Sequence, residues 1–358
     1  MRECYTRPCN FYYGNHARKL VKKKIALPLA GNINIAFDKL EIFKRNRKNL
    51  TQSEICSINK ISHFSKKTIL TIKSDLKKIT SKRESILGLK FKDPNIMGVL
   101  NVTPDSFSDG GLFFKESKAY DQAELMIKNG AKIIDVGGES TRPGSKIINQ
   151  KIEWDRVKNI ITKIKKKFPK IVLSLDTRKS YVMKRGIENK VDIINDVSGL
   201  KFDKNAFNII KSKNTPFILH HMQGTPDVMQ KNPKYNDAVL DIFDFFEEKI
   251  NFCLRNKLNK KFIIIDPGIG FGKNLKHNLR IMSKISTFHS LGCPILIGTS
   301  RKRFIEHIVT KFDTPDRTGG TLASVLYGLS QGVQLFRVHN VKEINQGILV
   351  FNKILNAN

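Results

Sequence analysis

From Lys92 onward, apolar residues gather in short β-branched runs, and between those runs they recur at helical spacing. Eight runs predict strands: Ile96–Val102, Lys132–Val136, Ile171–Leu175, Val191–Ile194, Phe217–His220, Phe262–Ile265, Ile295–Ile297 and Gln334–Val338. Each ends in glycine or polar residues. The segments between them are amphipathic, among them Ser117–Asn129, Lys151–Phe168, Asp237–Asn256 and Leu275–Leu291. Within Asp237–Asn256, Leu240, Phe243, Ile250 and Leu254 share one helical stripe, which predicts a buried face. Alternating strand and helix predicts a parallel sheet covered by helices. Eight such units in roughly 260 residues fit a closed (β/α)₈ TIM barrel of the α/β class better than an open doubly wound sheet. No strand runs into a G-x-G-x-x-G turn that opens a helix, so the dinucleotide-binding alternative lacks its main support.

Residues 1–91 break this rhythm. Arg2–Phe37 is compositionally ordinary, whereas Lys44–Lys92 is rich in Lys, Ser and Thr. The pattern reads as a basic, partly ordered N-terminal extension with a linker, followed by a catalytic barrel over 92–358. No strand-end motif precedes Asn101, so a chain lacking the first 85 residues is expected to keep its catalysis.

Charge sharpens this division. The chain carries 64 Lys+Arg against 32 Asp+Glu, a net of +32. Residues 1–92 hold 22 basic and 6 acidic residues, a net of +16, and the other +16 is spread over the remaining 266. Such a balance raises the question of nucleic acid or anionic membrane. No recognisable nucleic-acid module accompanies the charge, and a compositional bias toward Lys, Asn and Ile accounts for it, so no nucleic-acid partner is expected. Five scattered cysteines show no C-x-x-C pair and no zinc spacing, as expected of reduced thiols. No apolar run approaches the roughly 18 residues of a membrane span. A cytoplasmic enzyme with no membrane partner is the expectation.

The strand ends carry the chemistry. The first opens into Asn101-Val102-Thr103-Pro104-Asp105-Ser106-Phe107-Ser108-Asp109-Gly110-Gly111. The amide oxygen of Asn101 suits a hard cation such as Mg²⁺, although an Asn after a strand is also an ordinary turn former. The second ends Asp135-Val136-Gly137-Gly138-Glu139-Ser140-Thr141-Arg142-Pro143-Gly144, whose glycines, hydroxyls and Arg could hold phosphate oxygens. Asp176, Asn195 and Asp266 close later strands; in a barrel they converge on one mouth and can accept hydrogen bonds from an aminopyrimidinone edge. The seventh strand leads to Ser300-Arg301-Lys302, and the eighth ends Arg337-Val338-His339. Lys302 can donate to a heterocycle, and Arg337 and His339 to a pyrophosphate. His220 and His221 are adjacent on a strand and point to opposite faces, so they cannot ligate one metal together.

The runs Met97–Gly111, Ile134–Gly144, Asp176–Arg178, His221–Gly224, Asp266–Lys273, Ser300–Lys302 and Arg337–His339 resemble, in order, the signatures of the dihydropteroate synthase family. The resemblance covers roughly residues 93–358. It implies a transferase that condenses 6-hydroxymethyl-7,8-dihydropterin pyrophosphate with p-aminobenzoate, and a target for sulfonamides. It implies that Asp176, Asn195, Asp266 and Lys302 hold the pterin, with Met222 packed on it and Asp135 nearby. Arg337 and His339 would hold pyrophosphate with Mg²⁺, and Asn101 would be the metal ligand. Thr141, Arg142, Pro143, Phe271 and Ser300 would shape the p-aminobenzoate pocket. A homodimer paired through the later helices is also implied. Asn340 stands where many relatives have Asp, which leaves the Arg337 and His339 roles intact. A pterin-binding methyltransferase would share the carboxylate grip but would need no pyrophosphate site.

Overall fold

A computed structural model describes residues 2–46, 51–103, 112–140, 144–309 and 316–357. The N-terminal stretch is folded, and the expected basic linker contains a strand and a helix. Its elements are β1 (Cys4–Tyr13), α1 (Gly14–Lys22), β2 (Leu27–Leu29), β3 (Asn32–Arg45), β4 (Thr51–Ser57) and α2 (Lys66–Thr80). β3 is the hub and pairs antiparallel with β1, β2 and β4. Ser65 caps α2 by accepting from the Thr68 amide, and Lys77 and Lys78 occupy the last turn, where the helix dipole favours cations. Leu29, Phe37, Leu40, Ile72 and Ile79 form the extension's own core.

Eight parallel strands follow: β5 (Asn95–Asn101), β6 (Ile133–Gly137), β7 (Val172–Asp176), β8 (Ile193–Asp196), β9 (Phe217–His220), β10 (Ile263–Asp266), β11 (Leu296–Ile297) and β12 (Leu335–Val338). They pair in the order β10-β9-β8-β7-β6-β5-β12-β11, and a parallel bridge between Ile265 and Ile295 closes the ring. The helices between them are α3 (Leu112–Lys128), α4 (Gln150–Lys167), α5 (Ser180–Glu188), α6 (Ala206–Ser212), α7 (Ala238–Arg255), α8 (Leu275–Ser283), α9 (Arg303–Ile308) and α10 (Thr318–Ser330), with α11 (Val341–Leu355) last. Two expectations need correcting. The segment 275–291 breaks after Ser283 and continues as a 3-10 turn over Ile285–Leu291, which ends at the left-handed Gly292. In α7 the buried stripe passes through Phe246, Ile250 and Cys253, while Leu254 is 42% exposed, because the 3.6-residue period leaves it on the solvent flank.

One residue from each barrel strand forms the floor: Met97, Ile133, Val172, Ile193, Ile218, Ile264, Leu296 and Leu335. Ile86, Leu89 and Phe91 plug it from below. The barrel core therefore draws on residues that precede Lys92. The 86–89 turn that places the plug is made by Leu87 and Gly88, both at positive φ.

The extension docks on the outside of the barrel along α7 and the 285–291 turn. Tyr5 is fully buried, meets Phe243 edge-on at 5.3 Å and donates from its hydroxyl to Asp244 at 2.8 Å. Tyr5 and Phe43 belong to the same apolar core as the barrel's outer helices. Among the described residues no helix is long and apolar enough to cross a membrane. Replacing Tyr5 with Ala removes a buried aromatic and should cost about 3–5 kcal/mol, measured as a lower denaturant midpoint with an unchanged slope.

Candidate functional site

Side chains alternate faces along a strand, so the floor residues fix what lies above them. Two residues beyond Ile133 stands Asp135; two and four beyond Val172 stand Ser174 and Asp176. By the same step Ile193 leads to Asn195, Ile218 to His220, Ile264 to Asp266, and Leu335 to Arg337. Asn101 stands four residues above Met97. The apolar floor and the polar mouth are two layers of one barrel interior.

At the centre, Arg337 spans two buried carboxylates. Its Nε donates to Asp135 Oδ2 at 2.6 Å and its Nη2 to Asp176 Oδ2 at 2.8 Å. Asn195 Nδ2 also donates to Asp135 Oδ2, at 3.1 Å. Among the described residues the other acceptor of each group is buried without a partner: Asp135 Oδ1, Asp176 Oδ1 and Asn195 Oδ1. Burial pushes Asp176 up to about 7, against the pull of Arg337 and aided by Asp135 beside it. Burial likewise pushes Asp266 up to about 6, opposed by the Gly268 amide that donates to its Oδ1 at 2.7 Å. Gly268 has φ +69°, and a Cβ there would collide with the His221 carbonyl, so glycine is required for this turn.

One wall of the mouth is apolar. Met222, Met229 and Phe271 form a small buried cluster, and the Lys302 ammonium lies 3.9 Å from the Phe271 ring centroid. Burial, then the nearby Arg337, lowers Lys302 to about 8. Across the opening, Ser300 and His339 are joined through Ser300 Oγ and His339 Nδ1 at 3.0 Å. Asn101 reaches toward the same opening: a Cβ on Gly137 would sit 3.5 Å from Asn101 Oδ1 and 3.6 Å from Asp176 Cβ. Gly137 thereby leaves the space between them clear.

The structure thus gathers Asn101, Asp135, Asp176, Asn195, Met222, Asp266, Phe271, Ser300, Lys302, Arg337 and His339 at one end of the barrel. Thr141, Arg142 and Pro143 lie outside the described residues. Two supports went unread in the sequence. Glu139 and Glu153 are buried with Arg178 and Lys179: Lys179 Nζ donates to Glu139 at 2.7 Å and to Glu153 at 2.6 Å, and Arg178 Nε to Glu139 at 3.1 Å. Lys273 Nζ reaches His221 Nδ1 at 3.0 Å and the Phe271 carbonyl at 2.9 Å, bolting the β9 and β10 loops together. His220 and His221 are both packed, and burial lowers each well below the usual imidazole range. Chemically, the mouth offers buried acceptors for a flat ring rich in N–H donors, flanked by cationic groups able to receive an anion.

The pterin binding enzyme family matches residues 97–339. The dihydropteroate synthase of Escherichia coli strain K12 is 39% identical over 269 residues, which cover 75% of this chain and 94% of that protein. The Yersinia pestis dihydropteroate synthase, solved with a sulfonamide drug, superposes with a TM-score of 0.70 at 37% identity, over 74% of this chain and 96% of that one. The Xanthomonas albilineans enzyme in complex with 7,8-dihydropteroate gives 0.67 at 30% identity, over 74% and 95%.

The Glu139 network predicts a large penalty when broken. Glu139→Gln deprives Arg178 of its carboxylate while both remain buried, and should cost about 3–5 kcal/mol in chemical denaturation.

Proposed function

Because the chain belongs to the pterin-binding enzyme family, and within it to the dihydropteroate synthases, we propose a division of labour for its barrel mouth. The protein is a transferase of folate biosynthesis: it joins 6-hydroxymethyl-7,8-dihydropterin pyrophosphate to p-aminobenzoate and releases pyrophosphate. The observation that carries the assignment of residues is the trio of buried, unpartnered acceptors on Asp135, Asp176 and Asn195. An unmet buried acceptor is costly, and the N–H groups of a pterin edge supply what these lack. Asp266 and Lys302 take the remaining polar edge, with Met222 packed on the ring face. Arg337 and His339 receive the pyrophosphate. Phe271 and Ser300 face p-aminobenzoate; the family resemblance adds Thr141, Arg142 and Pro143, which lie outside the described residues. A sulfonamide, which the Yersinia pestis relative binds, is expected to compete with it.

Mg²⁺ fits this arrangement as an ion shared with substrate. Among the described residues no three His, Cys, Asp or Glu side chains cluster around a metal position, and Asn101 offers one amide oxygen at the mouth. Mg²⁺ commonly takes few protein ligands and completes its shell with phosphate and water. When bound, it would neutralise charge on the departing pyrophosphate. The arylamine is already a nucleophile, so the chain's residues have no side-chain nucleophile to activate. Their work is electrostatic. Arg337 and His339 stabilise the leaving oxygens, the carboxylates of Asp135 and Asp176 shelter positive charge on the pterin, and the C–O bond breaks before the amine attacks.

Two further readings extend this picture. Leu349, Val350 and Ile354 on α11 are 59%, 56% and 62% exposed, with Tyr327 of α10 at 41%, an apolar face suited to a second copy of the chain. Five unpaired thiols fit a reducing cytoplasm.

Dihydropteroate formation from the pterin pyrophosphate, p-aminobenzoate and Mg²⁺ tests the activity, and its absence from folded protein would overturn the reading. The pH profile tests the residues. Pterin recognition needs ionised carboxylates, so kcat/KM should rise as Asp266 and Asp176 deprotonate through about 6 and about 7. It should fall as Lys302 loses its proton near about 8. Asp176→Asn should leave an acid limb set by Asp266 near about 6 and weaken pterin binding roughly ten- to a hundredfold. For the dimer, Leu349→Lys should shift the mass measured by light scattering from dimer to monomer, whereas an unchanged mass would exclude this face.

A further inference from the structure

The extension climbs the outside of the barrel along β3. At its lower end Asn32 Nδ2 donates to the Lys92 carbonyl at 3.0 Å, beside the floor plug. At its upper end Arg45 lies against the first turns of α7. Its side chain is 3% exposed; Nη2 donates to Asp241 Oδ1 at 2.7 Å and Nη1 to Asp244 Oδ2 at 3.2 Å. The other oxygen of Asp241 accepts the backbone N–H of Asn236 at 2.8 Å. Asn236 is at the far end of the loop 221–237, which presents Met222 and Met229 to the mouth.

A second line runs alongside. The Arg280 guanidinium lies 5.8 Å from the Phe43 ring centroid and donates to Asp237 Oδ2 at 3.1 Å, while Asp237 Oδ1 caps α7 through the Val239 and Leu240 amides. Two residues of β3 therefore brace the place where this loop becomes a helix. The family match begins at Met97, so the brace comes from outside the shared barrel.

We propose that the N-terminal extension is a positioning element for the pterin pocket: Arg45, acting through Asp241 and the Asn236 amide, holds the β9–α7 loop in the arrangement that presents Met222 to the ring. The proposal rests on the assignment of that pocket to the pterin. Arg45 touches no substrate. Its rigid guanidinium fork fixes both Asp241 and Asp244, which leaves the second Asp241 oxygen aimed at the loop. Without it, the partly exposed Asp241 carboxylate is free to turn to water, the Asn236 amide loses a fixed acceptor, and the loop must be ordered when substrate binds. That ordering is charged to pterin affinity, because the binding-competent fraction of the loop falls.

The test compares wild type with Arg45→Met, Arg45→Lys and Asp241→Asn in the full chain. Wild-type turnover checks the underlying pocket assignment; hydrogen exchange of the Asn236 amide reads the brace without any activity. Arg45→Met should raise KM for the pterin pyrophosphate about three- to tenfold, leaving kcat within about twofold and KM for p-aminobenzoate unchanged. Exchange should quicken over residues 222–236 while α7 beyond Leu240 keeps its protection. Arg45→Lys should recover part of the loss, and adding Asp241→Asn to Arg45→Met should do little more, since both cut one path. Unchanged pterin KM together with unchanged exchange at Asn236 would overturn the proposal. So would a general rise in exchange through β1, β3 and α7 without a selective change in pterin KM, which would make Arg45 a docking contact alone.

Discussion

Two carboxylates buried in the middle of the barrel, with one guanidinium between them, set the terms for everything around them. Asp135 is inaccessible to solvent and Asp176 nearly so, and Arg337 is the cation in contact with both. A buried charge is tolerable only when paired and hydrogen-bonded, and this pairing is incomplete: among the described residues one oxygen of each carboxylate has no partner. A structure that served stability alone would favour apolar side chains of similar volume here. The arrangement makes sense as a binding surface whose missing donors arrive with the ligand. It also explains why burial and the proximity of the two acids outweigh Arg337 in setting the proton affinity of Asp176.

The barrel can carry this strain because its lower half is apolar and sealed. Eight floor residues, one per strand, meet the plug of Ile86, Leu89 and Phe91, so the polar layer opens in one direction only. Above it, a Cβ at Gly137 would stand in contact with both Asn101 and Asp176. Flanking it, Glu139, Glu153, Arg178 and Lys179 balance two acids against two bases and brace the starts of the loops after β6 and β7. In this supporting network both oxygens of Glu139 meet a cation, whereas each central carboxylate keeps one oxygen without a partner among the described residues.

Much of this was legible in the sequence, for a physical reason. Parallel strands buried on both faces are continuous apolar runs, and their polar terminators mark the mouth, so Asp176, Asn195, Asp266 and Arg337 announced themselves by position. Side-chain pairing did not. Glu139 and Lys179 are charged residues in a charged sequence, and nothing in their spacing separates a buried pair from two solvated ones. The extension hid for a different reason. β3 is covered on both faces over Leu40–Phe43, where Leu40, Glu41, Ile42 and Phe43 are all buried, so the two-residue alternation that marks a half-exposed strand is absent. The β6 loop residues Thr141, Arg142 and Pro143 lie outside the described structure, so their place in the mouth still rests on family resemblance.

The basic excess of the extension finds part of its meaning in the helix it covers. On α7, Asp241, Asp244 and Glu247 recur every three residues and so line one flank of the helix. Arg45 meets the first two and Arg2 the third; Arg2 also binds Asp75 of α2, so the extension's own helix is tied into the same seam. Burial raises Asp244, while the Tyr5 hydroxyl and then Arg45, both from the extension, oppose that rise. Removing the extension would uncover three acids together with the apolar surface that Tyr5 and Phe43 now bury. A chain lacking its first 85 residues, expected to keep its catalysis, would lose this seam. The contacts that hold the extension on the barrel also reach the loop that carries Met222, through the Asp241 carboxylate that accepts the Asn236 amide.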